Sequence, residues 1–191
     1  MGYFDDEQNV EDYIKMAEGY DGRYLITQLR KYLPYDSTVL ELGMGPGTDL
    51  MLLSEHYQVI GSDYSNAFLE RFRMRQPQHP TAGLLQLDAI TMQVDRRFDC
   101  IYSNKVLHMM TREQLAQSLQ RQAAVLNDNG ILLHSFWYGR EEEEHFDIKF
   151  IYYTKKALKE AIGKEYKIVE MERYTEMDEN DSLYVILRKR D

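Results

Sequence analysis

Three carboxylates and a run of glycines are the residues of this sequence best suited to chemistry. Val39-Leu40-Glu41-Leu42 leads into Gly43-Met44-Gly45-Pro46-Gly47-Thr48. Glycines at alternate positions let a ligand lie against bare backbone N–H groups, because no Cβ holds it away. Asp63 stands 20 residues after Gly43, the separation at which an acid accepts hydrogen bonds from a ribose diol. Asp88 closes a third short apolar run and can accept from an amino group on a base. Tyr64, next to Asp63, offers a flat ring to an adenine. A strand feeding a glycine turn into a helix is the usual nucleotide-binding corner of an open α/β sheet.

The elements around these residues alternate in period. Tyr13, Ile14 and Ala17, then Leu25, Leu29 and Leu33, recur at helical spacing and stop at Pro34. Strands are expected at residues 38–42, 58–62, 84–87, 98–103 and 131–137. Helices are expected at 48–56, at 66–75 (closed by Pro77 and Pro80), and at 111–127, where Thr111 and Gln114 make a capping box. This alternation predicts βαβ units and a parallel sheet with right-handed crossovers. The tail breaks the rule. A helix at 155–162 is followed by strands at 166–171 and 183–187 with only a turn-rich stretch between them, so that pair should be antiparallel. Residues 139–153 show no clear period.

Bulk composition narrows the partners. The 191 residues carry a formal charge of −9, and 43% are apolar. The length fits one domain, and the charge disfavours a nucleic-acid backbone as partner. Seven acids and the single base Lys15 fall in residues 1–22, which reads as a solvated helix face. The lone Cys100 sits in an apolar run and reads as a small core residue in a reducing compartment. No signal-peptide pattern opens the chain, and no apolar run reaches bilayer length. A cytoplasmic, soluble protein without membrane contact is expected.

Other polar residues admit two readings. His108 follows the fourth strand and His134 lies inside the fifth; each is either a base or a packed histidine. The five histidines show no metal-ligand spacing, so no metal is expected. Glu141–Glu144 is a solvated face or the border of a substrate entrance that disfavours anions. Tyr152 and Tyr153 line that entrance or belong to the core.

The ordered segments resemble those of class I S-adenosylmethionine-dependent methyltransferases. Glu41-Leu-Gly43-Met-Gly45-Pro-Gly47-Thr48 is similar to their first motif, and Val59-Ile-Gly-Ser-Asp63-Tyr-Ser to their second-strand motif. Leu85-Gln-Leu-Asp88-Ala89 resembles the third. The stretch from Phe98 through Ser103-Asn104 to His108 resembles the fourth, and Val125 to Leu133 the turn into the fifth strand. The resemblance implies a Rossmann-like, doubly wound α/β sheet of seven strands, mostly parallel with an antiparallel C-terminal pair. It implies one domain over 1–191: a helical cap at 1–34, a cofactor core at 35–138, and a substrate-side segment with the final strands at 139–191. It also implies S-adenosylmethionine as cofactor.

By the same resemblance, the loop of Gly43, Met44, Gly45, Gly47 and Thr48 meets the methionine end of the cofactor, chiefly through backbone at Gly43 and Gly45. Asp63 holds the ribose and Tyr64 flanks the adenine. Asp88 and the Ala89 amide read the adenine. Ser103 or Asn104 lies near the sulfonium, and Glu41 organises the loop or reaches the ammonium through water. No catalytic residue is assigned. Asp49 stands where many members have glycine; there it suits the helix dipole. Tyr13, Tyr20 and Arg23 are candidate contacts of a first helix folded over the cofactor.

The segment Ser103-Asn104-Lys105-Val106 lacks the prolines of enzymes that methylate nucleic-acid bases or glutamine amides, so a small-molecule acceptor is expected. Two alternatives remain. One is a non-catalytic binding module. The other is an NAD(P)-dependent oxidoreductase, which expects Gly-x-Gly-x-x-Gly and has no use for Asp88.

Overall fold

The computed structural model describes residues 3–78, 83–145 and 148–190. Pro80 and His79 lie outside these. Helices α1 (Glu7–Met16) and α2 (Arg23–Leu29) precede an alternating core of β1 (Thr38–Leu42), α3 (Thr48–Ser54), β2 (Gln58–Asp63), α4 (Asn66–Arg75), β3 (Gly83–Gln86), β4 (Phe98–Ser103), α5 (Arg112–Val125) and β5 (Leu126–Trp137). A hairpin of β6 (Glu142–His145) and β7 (Ile148–Ile151) follows, then α6 (Lys155–Ala161), β8 (Tyr166–Tyr174) and β9 (Ser182–Lys189).

Seven strands form one sheet in the order β3-β2-β1-β4-β5-β9-β8. The first five run parallel, while β9 is antiparallel to both β5 and β8. The chain winds outward from β1 to β3, then returns to lay β4 against the other side of β1. That reversal opens a crevice beyond the carboxyl ends of β1 and β4, where ligands of such sheets bind.

Alternation along the strands sends side chains to both faces. Leu40, Leu42, Ile101, Leu132 and Leu187 pack under α5 and α6 with Leu115, Leu119 and Leu158. Val39, Val59, Cys100, Leu133 and Ile186 pack under α2, α3 and α4 with Leu25, Leu29, Leu50, Leu53 and Leu69. Cys100 is fully buried, and burial pushes its thiol pKa up.

Departures from the sequence reading have local causes. Helix α5 keeps its capping box, with Thr111 accepting from the Gln114 amide. It stops at Val125, because Leu126 takes an extended conformation and pairs with Phe98 before the register shifts. The stretch without period at 139–153 contains the hairpin β6–β7. Its first strand is all acid and histidine, so no apolar alternation betrays it. Acids of α1 are not merely solvated: Asp6 caps the helix, and Glu11 binds Arg71 and Arg75 of α4.

Leu132, fully buried at the centre of the sheet, tests this packing. Leu132→Ala should destabilise the chain by about 2–5 kcal/mol, read as a lower denaturant midpoint at unchanged slope.

Candidate functional site

Beyond β1 the backbone turns through Gly43, Gly45 and Gly47, at φ 63, 49 and 86. These left-handed conformations are ones side chains rarely adopt. A Cβ at Gly47 would also overlap the Phe72 ring, whereas one at Gly45 would meet only the Tyr13 ring, at 3.8 Å. Gly47 is thus needed for packing, while Gly45 leaves backbone open. The Met44 amide donates to the Ser62 carbonyl and the Gly47 amide to the Met44 carbonyl, each at 2.8 Å. Met44 is buried beneath the loop, and Thr48 begins α3.

Asp63 ends β2 and holds the loop directly. One carboxylate oxygen accepts from the Gly45 amide and the other from the Ser65 amide, both at 2.9 Å. Burial raises its pKa, and these amides oppose the rise. Glu41 lies beneath the loop with 3% exposure, and its Oε2 has no hydrogen-bond partner among the described residues. Burial, then the nearby Asp49 and Asp63, push its carboxyl well above the ordinary value.

Asp49 in the first turn of α3 does more than suit a helix dipole. One oxygen accepts from the Gly22 amide at 2.6 Å. The other accepts from the Tyr102 hydroxyl at 2.7 Å and the Asn104 amide at 3.1 Å. Burial raises its pKa against these three donors. Gly22 has no room for a side chain, since a Cβ there would overlap both Tyr102 and Asp49.

After β4 the chain bends sharply. Ser103 is fully buried and turns its hydroxyl back to His134 at 2.8 Å. Asn104 joins Asp49 to the Ser135 hydroxyl, which donates to it at 2.6 Å. Lys105 sits at φ 54. Its ammonium holds that conformation by reaching Ser182 at 2.6 Å and Glu176 at 3.1 Å, over the Trp137 ring.

Asp88 accepts from the Ile90 amide at 2.7 Å, closing a single turn with Ala89 rather than starting a helix. Tyr64 is 66% exposed beside it. All twelve sequence-predicted site residues therefore lie at or just beyond the carboxyl ends of β1 to β4.

Comparison with known proteins matches residues 39–130 to a methyltransferase-domain family model. A malonyl-[acyl-carrier protein] O-methyltransferase of Legionella pneumophila is 29% identical over 132 residues, which is 66% of this chain and 46% of that protein. A trans-aconitate 2-methyltransferase of Variovorax paradoxus is 32% identical over 118 residues, 59% of this chain and 43% of that protein. The chain thus spans less than half the length of these relatives. Among solved structures, an S-adenosylmethionine-dependent methyltransferase from Clostridium acetobutylicum superposes with TM-score 0.78 at 10% identity, covering 97% of this chain and all of that one. The N-methyltransferase NodS of Bradyrhizobium japonicum, bound to S-adenosyl-L-homocysteine, gives 0.75 at 16% identity, covering both chains in full.

Residues 39–130 match a methyltransferase domain, and the chain has the fold of S-adenosylmethionine-dependent methyltransferases.

Helix α1 folds across the glycine loop. Tyr13 lies against Gly45 and packs edge-on to Phe4 and Phe68, with centroids at 5.2 and 5.7 Å. The Phe4 carbonyl accepts from Ser65 at 2.6 Å. Tyr20 and Arg23, the other candidate contacts, point outward; Arg23 pairs with Asp21 at the surface. The contact that reaches the loop helix is instead the Gly22 amide, which the sequence could not single out. Open clefts of about 590 and 300 Å³ lie elsewhere, along α4 and along α5.

The histidines separate. His134 is enclosed by Ser103 and Gln122 and is a packed residue. His108 lies in a 3-10 turn, stacked on Phe150, and neither ring nitrogen has a partner among the described residues. Burial, with Lys105 nearby, pushes its pKa down to about 3, so the ring is neutral near pH 7. Tyr153 is core, while Tyr152 is partly exposed and its hydroxyl donates to Glu143. Glu142 of the acidic run is paired with Lys149 and Arg112. No group of three or more metal-ligating side chains occurs among the described residues, and no helix there is long and apolar enough to cross a membrane.

Two outcomes test the geometry. Gly22→Ala should cost about 1–3 kcal/mol by overpacking the Asp49 cluster, whereas Tyr102→Phe should cost a comparable amount by deleting one donor to a buried carboxylate. Chemical denaturation of both variants measures this. Glu41 gives a pH signature. Its folded pKa lies above the ordinary 4.5, so the folded state keeps a proton that the unfolded state releases. The stability from that group is full below the unfolded pKa and is lost as pH rises through the folded one. Glu41→Gln should therefore gain in Tm over wild type progressively as pH rises above about 4.5; a pH-independent difference would contradict it.

Proposed function

We propose that residues 1–191 act as one methyltransferase domain, transferring the methyl group of S-adenosylmethionine to a small-molecule acceptor. The observation that carries this reading is the joint between Asp63 and the glycine loop. A carboxylate at the end of β2 and the side-chain-free backbone of Gly45 meet beside the sheet's reversal point, where ribose and a charged amino-acid end fit side by side.

The residues present fit the cofactor. Glu41, Asp49 and Asp63 are acids with raised pKa, buried or nearly so, and Glu41 keeps a carboxyl oxygen unpartnered. A ligand carrying an ammonium and a sulfonium answers that excess of acid. S-adenosylmethionine supplies an already electrophilic methyl, so the protein's task is to bind, orient and exclude water. Gly43 to Thr48 would hold the methionine end, Asp63 the ribose, Tyr64 one face of the adenine, and Asp88 with the Ala89 amide its edge. At the methyl end the Ser103 backbone and the Asn104 side chain would border the donor. Tyr13 would close over it.

A small-molecule acceptor is supported by the short segments on the acceptor side, the 3-10 turn at His108 and the β6–β7 hairpin. The exposed acids of β6 argue against a nucleic-acid partner.

Calorimetry with S-adenosylmethionine, S-adenosylhomocysteine and NAD tests the reading. The first two should bind, and Asp63→Ala should weaken both at least tenfold through loss of charge-assisted hydrogen bonds. Binding of NAD alone would overturn it. Methyl transfer to an acceptor panel distinguishes an enzyme from a binding module.

A further inference from the structure

A buried file of hydrogen bonds links two parts of the site that no strand pairing joins. The Ser103 hydroxyl lies 2.8 Å from His134 Nδ1, and His134 Nε2 lies 2.8 Å from Gln122 Oε1. Gln122 Nε2 donates to the Ser118 hydroxyl at 3.0 Å, and that hydroxyl donates to the Ala89 carbonyl at 2.6 Å. Ser103, Ser118, Gln122 and His134 are each 0% exposed.

Every bond's direction follows from the far end. A carbonyl only accepts, so the Ser118 hydrogen goes to Ala89 and its oxygen receives the Gln122 amide hydrogen. The Gln122 carbonyl then faces His134, whose Nε2 carries the ring hydrogen. Nδ1 is left to accept from Ser103. The file is fully satisfied when the imidazole is neutral, the state that burial favours.

Its ends matter because β3 and β4 are separated by β2 and β1 in the sheet. The turn after β3 is held by two local bonds, Ile90 amide to Asp88 carboxylate and Met92 amide to Asp88 carbonyl. Neither bond reaches β4, although Leu87 and Met92 share a core with its Ile101. The file adds a directional, hydrogen-bonded link to β4 through α5.

We infer that Ser118, Gln122 and His134 are positioning residues that hold the Asp88–Ala89 turn in register with the end of β4, where it reads the adenine. All three are fully buried and act through the turn rather than on a ligand. The inference rests on the cofactor reading of Asp88 and Ala89.

The test compares the full chain with Ser118→Ala and Gln122→Glu. Binding of S-adenosylhomocysteine and of S-inosylhomocysteine, its analogue with the adenine amino group replaced by a carbonyl, is measured by calorimetry. Wild type should prefer the adenine form, and both variants should lose about fivefold of that preference, the worth of roughly one hydrogen bond. General destabilisation would weaken both ligands alike and leave the ratio intact. The His134 ring nitrogens, followed by NMR, should show the Nε2–H form in wild type and a second ring proton in Gln122→Glu, where a carboxylate replaces the amide. An unchanged ratio in the folded variants overturns the tether alone. Absence of adenine preference in wild type overturns the cofactor reading, and the tether with it.

Discussion

The carboxylate of Asp49 is the point on which the site's architecture turns. It is buried in the first turn of α3, directly after the glycine loop, and takes hydrogen bonds from the chain preceding α2, from the middle of the sheet and from the end of β4. A buried carboxylate left unpaired is costly, so each donor is held where the acid requires it. Gly22 must be glycine because the acid and the Tyr102 hydroxyl occupy the space of its side chain. Through one residue, the N-terminal segment, the loop helix and the acceptor side of the sheet keep a common register.

Around that point the loop is shaped mostly by backbone. Its amides are bonded to Ser62, Met44 and Asp63, so its form depends on β2 lying beside β1 as much as on glycine itself. The acid that would receive a ribose is the same acid that anchors the loop. Lys105 plays a similar part on the other side: its left-handed backbone is sustained by an ammonium fastened to Glu176 and Ser182 near the start of β9. Antiparallel β9 therefore contributes to the site, although β4 and β5 lie between it and β1.

Much of this was legible in the sequence where the signal was local. Residues 66–75 form a helix with the expected bounds, and 38–42 and 98–103 form the expected strands, because apolar runs bounded by turn residues encode them. The capping box at Thr111 and Gln114 formed in both halves. The glycine loop, Asp63 and Asp88 fell at consecutive strand ends as their spacing implied. What escaped was non-local or lacked contrast. Asp49 finds partners 27, 53 and 55 residues away, a relation that no periodicity carries. The Ser103 side chain faces inward because His134 offers it a buried acceptor, and a motif does not reveal which way a strand-end hydroxyl turns. The β6–β7 hairpin joins an acidic strand to an apolar one, so half of it looks like solvated loop.

The electrostatics of the crevice follow from the same arrangement. Glu41, Asp49 and Asp63 converge there, and none forms an ion pair among the described residues. Lys105, a neighbouring cation, is already committed to Glu176, with both side chains 12% exposed. Tyr13, lying over the loop, is a hydroxyl whose pKa burial raises and which Asp63, Asp49 and Glu176 raise further; it adds no compensating charge. Burying three acids without cations is unfavourable. The fold tolerates it by giving Asp49 and Asp63 amide and hydroxyl donors and by raising the carboxyl pKa of Glu41, the acid with an unpartnered oxygen. A cationic ligand relieves that strain where a neutral or anionic one does not. Among the described residues the crevice thus carries acids without paired cations, a balance that favours the proposed donor, with its sulfonium and ammonium, over a dinucleotide bearing phosphates.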